Sequence, residues 1–399
     1  MPSSNKITNR IALVLLIILS AIIPAEGAAT KEPVVTKAVS RPYGLAELSA
    51  NGVPPVLGGI ATREQWEHKR AEVLQLFLDC AGGVPARGLV KFSVESEVAE
   101  GDHVRQKIVF ATADGDRIPA FLLIPNGARE PGKKYPAILA LHPTNALGKA
   151  TVATPEGPPN RRYALELVSR GYVVLAPDDL TAGERIFPGL AAFRDAPFYA
   201  RHPEWSTVGK NLFDHLQAVD LLVSLPFVDA QRIGVIGHSF GAYNAYFISA
   251  IDERIRVVVS SCGLLPFAAV GSTKHWGVRN WYTHFPKLAE AEKQGRVPFE
   301  FNEIVALTAP RPMFFYAAQS DHIFPHWKEV GDCFLDLHRL YAWLGVEDNF
   351  KSVIGSGDHD FPEAVRIMSY EFLDRWLKPE NGLARNVGGT PAPASAPRP

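Results

Sequence analysis

The segment Arg232-Ile-Gly-Val-Ile-Gly-His-Ser-Phe-Gly-Ala-Tyr-Asn-Ala constrains this chain more than any other. Residues 233–236 read as a short apolar strand and Gly237-His238-Ser239-Phe240-Gly241 as a sharp turn. The small residues Ala242, Ala245, Ser249 and Ala250 then mark the helix that follows. Glycines two positions before and after the serine remove the Cβ atoms that would collide where strand and helix close on each other. Such a turn holds the serine in a strained backbone with its hydroxyl lifted above a sheet. The helix behind it presents unpaired N–H groups and the positive end of its dipole. Strand before and helix after distinguish this from a Gly-x-Ser-x-Gly that occurs by chance, and make Ser239 the candidate nucleophile.

The rest of the chain supplies a sheet to carry that turn. Thr62 followed by Gln65 forms a capping box, and Trp66, Val73, Leu74, Phe77 and Leu78 recur at helical spacing until Gly82-Gly83. Alternating segments at 92–98, 104–111 and 118–124 predict an antiparallel start, the last two joined by a hairpin at Asp114-Gly115. Apolar strands at 137–141, 172–176, 233–236, 256–260, 313–317 and 350–354 then alternate with helices, including 163–169, 208–225, 327–344 and 362–377. That rhythm implies an α/β fold with a mostly parallel central sheet covered on both faces. Two long connections, 178–209 and 263–308, follow strand carboxyl ends, where open α/β sheets bind ligands. They are rich in aromatics, among them Phe193, Tyr199, Trp205, Trp276, Trp281 and Tyr282. Most of these rings are expected to fasten the insertions to the domain and a few to line a pocket.

Lys6 and Arg10 precede an apolar run at 11–23, then Pro24 and small residues to Ala29. This is the order of a secretory signal peptide, and the run falls short of the ~20 residues of a membrane span. Residues 1–29 are thus expected to be a signal peptide, with an uncleaved anchor as the alternative. The expected location is secreted or periplasmic, with no stable membrane association after cleavage. An extended leader at 30–60, a single domain at 61–378 and a disordered Pro/Ala-rich tail at 379–399 complete the organisation. With 47% hydrophobic and 21% charged residues the chain can bury a sizeable core, and a net charge of −1 offers nothing to nucleic acid. Cys80, Cys262 and Cys333 have no metal-ligand spacing and read as small buried side chains. No metal or cofactor motif is found, so neither a metal nor a cofactor is expected. The oligomeric state is left open.

A serine hydroxyl needs a base, and the base an orienting acid. In a sheet of this kind they follow in the order Ser, acid, His, each on a loop after a strand. Past 313–317 comes Gln319-Ser-Asp321-His, and past 350–354 comes Gly357-Asp-His359-Asp. Asp321 is the candidate acid and His359 the candidate general base. His238, His322 and His326 are rivals near the expected site; His238 is assigned to packing or to support behind the reacting groups, since it should point away from the serine hydroxyl. Asp358 and Asp360 flank His359 too closely to turn back onto its Nδ1. An oxyanion needs two fixed N–H donors. One is the amide of Phe240. The second comes from His142-Pro143-Thr144-Asn145, where proline has no N–H, which favours Thr144.

From residue 90 to 378 the chain resembles the α/β-hydrolase superfamily, and within it the branch of dienelactone-hydrolase-like proteins and acetyl xylan esterases. The resemblance is carried by Leu139-Ala-Leu-His-Pro-Thr144, Gly237-His-Ser-Phe-Gly241, Ala309-Pro-Arg-Pro312 and Gly357-Asp-His-Asp-Phe-Pro362. It implies a secreted serine esterase acting on a small-molecule or polysaccharide ester, such as acetylated xylan. The last two segments also resemble glucuronoyl methylesterases, but those carry arginine after the serine where this chain has Phe240. A prolyl-oligopeptidase-like serine peptidase and a degenerate hydrolase serving as a binding module are the other readings.

Overall fold

The computed structural model describes residues 41–378, so the expected signal peptide, the first part of the leader and the tail lie outside the described residues. Its strands are β1 (Tyr43–Gly44), β2 (Lys91–Glu100), β3 (His103–Ala111), β4 (Arg117–Pro125), β5 (Tyr135–Leu141) and β6 (Val173–Pro177). They continue with β7 (Val228–His238), β8 (Ile255–Ser261), β9 (Arg296–Val297), β10 (Met313–Ala318) and β11 (Phe350–Gly355). Nine of these form one sheet in the order β11-β10-β8-β7-β5-β6-β4-β3-β2. β2, β3 and β4 are antiparallel, and β4 meets β6 antiparallel. From β6 to β11 every pairing is parallel. Chain order reverses at β5, which has β6 on one side and β7 on the other; open sheets place ligands outside the strand carboxyl ends at such a point.

Alternation along the central strands explains the two covering layers. Leu139, Leu141, Val235, Val258 and Phe315 face one core with Phe77, Leu212, Phe247 and Leu337, from helices Arg63–Ala81, Thr207–Ser224, Phe240–Ile251 and Trp327–Trp343. Their strand neighbours Ile138, Ala140, Ile236, Val257 and Phe314 face the other core, with Tyr163 and Leu167 of Tyr163–Ser169 and Leu373 of Glu363–Leu377. Both faces are apolar because successive side chains point to opposite sides and each side is roofed by helices. The expected capping box is formed: Gln65 N donates to Thr62 Oγ1 at 3.2 Å, and Thr62 N to Gln65 Oε1 at 3.1 Å.

The leader expectation is corrected from residue 41 onward. Tyr43–Gly44 pairs antiparallel with Arg296–Val297, and Leu45–Asn51 is a helix that buries Leu45 and Leu48. Arg41 and Tyr43 both bond the buried Glu303 carboxylate, at 2.6 and 2.9 Å. The domain therefore starts before residue 61. The Pro/Gly-rich composition concealed this because the partners stand some 250 residues away in the chain.

Candidate active site

β7 runs directly into the turn at Ser239. Ser239 has φ 56° and ψ −117°, a strained conformation for a residue with a side chain, of the kind that costs about 1–3 kcal/mol. It is held there by its N–H, which donates to the Ser261 carbonyl at 2.8 Å, and by the start of helix Phe240–Ile251 at the next residue. The glycines are required by close approach. A Cβ on Gly237 would stand 2.1 Å from the Gly241 carbonyl oxygen, and one on Gly241 2.1 Å from the Leu141 carbonyl oxygen. Ser239 is thereby presented to a cavity of about 760 Å³ at the strand carboxyl ends.

Asp321, just past β10, and His359, just past β11, are brought together. His359 Nδ1 lies 2.8 Å from Asp321 Oδ2. The other carboxylate oxygen, Oδ1, accepts the amides of Ile323 (2.8 Å) and Phe324 (2.7 Å). Burial alone would raise the Asp321 pKa. The His359 hydrogen bond and the two amides outweigh burial and hold the carboxyl below its usual range. His359 lines the cavity with Ser239. The hydrogen-bonded link is thus His359 to Asp321, while Ser239 and His359 are joined through a shared cavity, as is common before a substrate draws such groups together. Arg311, in the Ala309-Pro-Arg-Pro312 segment ahead of β10, is buried and donates to the carbonyls of Asp252 (2.9 Å) and Ile255 (2.8 Å), which fastens the strand leading to Asp321.

The rival groups are engaged elsewhere. His322 is exposed, with its Nδ1 2.8 Å from Asp358. Asp360 is paired with Arg161 at 2.6 Å. His326 is 4.0 Å from Glu329. His238 is buried, 3.0 Å through Nδ1 from Ser261 Oγ, and its ring lies 4.8 Å from that of His359. Burial, then Arg161 and His359, push its pKa well down, so it is a neutral ring against that of His359. It also lines the cavity, a place that fits support behind His359 as well as packing.

Phe240 and Thr144 both line the cavity, and among the described residues neither amide has a backbone acceptor. The Thr144 loop is braced by the buried His142. Its Nε2 accepts the Asp179 N–H at 3.1 Å while Nδ1 reaches the Pro143 carbonyl at 2.8 Å, which fixes the proton on Nδ1. The His142 ring stacks on Phe240 at 6.2 Å. The Phe240 ring also contacts Phe193 (5.4 Å), Tyr243 (5.3 Å) and Tyr282 (5.7 Å), so it anchors both insertions to the elbow.

Only the second insertion walls the cavity, through His275, Arg279 and Trp281. The first buttresses it from behind: Tyr199 Oη donates to the Thr283 carbonyl (3.0 Å), Arg194 to the Asn280 carbonyl (3.2 Å), and Asp195 accepts the Thr283 amide (2.5 Å). Of the aromatics expected to divide between fastening and lining, Trp281 lines and the others named above pack.

Sequence reasoning missed Arg161, Arg279 and the place of Cys262. All three cysteines are free and buried. Cys262 sits beside Asp321 and His359, its sulfur within 4.8 Å of a carboxylate oxygen of the one and a ring nitrogen of the other. Burial and Asp321 push the thiol well up, so it stays protonated against a carboxylate already bound to histidine. A buried thiol directly after a strand gives no sequence signal beyond its hydrophobicity.

The Prolyl oligopeptidase family matches at residues 202–330, a segment that includes Ser239 and Asp321 but stops short of His359. YtaP of Bacillus subtilis is 26% identical over 314 residues, covering 77% of this chain and all of that protein. Carbohydrate esterase MZ0003, from an unknown prokaryotic organism, is 28% identical over 200 residues, covering 44% of this chain and 45% of that one. Among solved structures, the glucuronoyl esterase of Solibacter usitatus superposes with a TM-score of 0.65 at 20% identity, covering 82% of this chain and 99% of that one.

Proposed function

We propose that this chain, a serine hydrolase of the α/β-hydrolase fold, is an esterase that cleaves carbohydrate esters through an acyl-enzyme. The observation that carries the reading is the His359–Asp321 hydrogen bond beside a cavity lined by a serine in a strained turn. Ser239 Oγ attacks the ester carbonyl while His359 Nε2 takes its proton, and Asp321 holds the imidazole in the required tautomer. The amides of Phe240 and Thr144 receive the oxyanion. The imidazolium protonates the departing alcohol, and water then repeats the sequence on the acyl-enzyme to release the acid and free Ser239.

A cavity of about 760 Å³ with an aromatic wall at Trp281 suits a sugar-sized group. The likeness to carbohydrate esterase MZ0003 supports the same class. Acetyl groups, as on xylan, are the favoured acyl portion. Phe240 lacks the guanidinium that the glucuronoyl methylesterase pattern places beside the serine. Residues 1–29 are proposed as an export signal, checked by N-terminal sequencing of exported protein; no helix among the described residues is long and apolar enough to cross a membrane.

The match to the Prolyl oligopeptidase family supports a second reading, a peptidase. Three substrates separate them: an acetylated xylo-oligosaccharide, a glucuronate methyl ester and Gly-Pro p-nitroanilide. Acetate release at a kcat/KM at least about tenfold above either other reaction is expected. Faster anilide cleavage would replace the esterase with a peptidase, and faster methanol release would replace the acetyl assignment.

A further inference from the structure

The cavity around Ser239 is lined by cationic and neutral groups. Arg161, Arg279 and four histidines line it, and among the described residues no aspartate or glutamate does. Most of these groups have their charge matched or lack one. Arg161 is paired with Asp360 at 2.6 Å and donates to the His359 carbonyl at 3.0 Å. His322 pairs with Asp358, and His359 with Asp321 behind it. Burial and Arg279 push His275 down to about 3, and His238 is likewise neutral.

Arg279 is the exception. Its Nε and Nη2 both donate to one carbonyl, that of His275, at 2.8 and 2.5 Å. Its guanidinium lies 5.3 Å from the centre of the Trp281 ring. Among the described residues no carboxylate lies within ion-pair distance of it, and Nη1 has no protein acceptor. Burial lowers its pKa, with Tyr243 and Tyr282 opposing only in part. A partly desolvated guanidinium without a counter-ion gains most from an anion that arrives with the ligand, and its planar fork suits a carboxylate. Its backbone is held in place, because its own N–H donates to the Tyr282 carbonyl at 3.0 Å and Asn280 and Thr283, which follow it, are tied to the first insertion.

We propose that Arg279 forms a carboxylate subsite beside the reacting serine, so that the preferred substrate is an ester on an acidic sugar that keeps its own carboxylate free. The choice of substrate rests on the esterase reading above; the binding of the carboxylate does not.

A matched pair tests it: a mono-O-acetyl methyl α-D-galacturonoside and the same acetyl ester of methyl α-D-galactopyranoside, which differ in one carboxylate. In the wild type, kcat/KM for acetate release is expected to favour the acidic sugar about tenfold or more, chiefly through KM. In Arg279→Gln the ratio collapses to within about twofold of unity, and Arg279→Lys, which keeps charge but not the fork, falls between. A wild-type ratio near one, or a ratio that survives in folded Arg279→Gln, overturns the subsite. If neither sugar is cleaved, the esterase reading fails, and calorimetric titration of both sugars into Ser239→Ala protein then decides the subsite alone. About tenfold tighter binding of the acidic sugar supports it, and equal binding overturns it.

Discussion

Ser239→Ala is expected to lower kcat/KM for p-nitrophenyl acetate by about 10⁴-fold or more while shifting Tm by no more than about 4 °C. The two halves of that expectation have separate causes. Rate is lost because no other hydroxyl occupies the position created by φ 56° and ψ −117° at the end of β7. Stability is kept because what holds the turn is backbone: the Ser239 N–H on the Ser261 carbonyl and the approach of Gly241 to Leu141. Residual hydrolysis is expected from the proposed oxyanion donors, which the substitution leaves in place. Initial rates with micromolar enzyme and a thermal melt by circular dichroism provide both numbers. Comparable turnover in the variant would remove Ser239 from the mechanism.

The second large effect separates two histidines that stand close together. His359→Ala should lose about 10³-fold or more in kcat/KM, whereas His322→Ala should stay within about threefold of wild type. The ring centres lie 6.4 Å apart, so proximity alone does not choose between them. Partners do. His359 Nδ1 is held by a buried carboxylate that two backbone amides also grip, which leaves Nε2 for the serine proton. His322 is exposed, and its Nδ1 is taken by an equally exposed Asp358, a pair that solvent screens. A profile in which His322→Ala is the damaged variant would reassign the base.

Local signals made the elbow and the strand-helix rhythm legible. Gly237 and Gly241 announced a close approach that the backbone requires, and the strands around Leu139, Val235 and Phe315 are continuous apolar runs because both of their faces are covered. The order Ser239, Asp321, His359 was readable because each follows a strand, and the sheet places β10 and β11 next to each other. Other features depend on contacts between distant residues. Nothing around Tyr43 in the sequence indicates that it pairs with Val297 and bonds Glu303, so its membership of the domain is not legible locally. Nothing local to Arg279 shows that it has no carboxylate partner among the described residues, since that depends on how two long insertions pack on each other. That the His238 ring meets His359, 121 positions later, follows from β7 and the β11 loop ending at the same edge of the sheet, which no local signal shows.

The central claim is that Ser239 forms the covalent intermediate. Wild-type protein treated with a p-nitrophenyl alkylphosphonate, digested and read by tandem mass spectrometry, should carry one phosphonyl group on Ser239, with labelling and loss of esterase activity proceeding at the same rate. Inactivation without a label on Ser239, or stoichiometric label on a different residue, would contradict it.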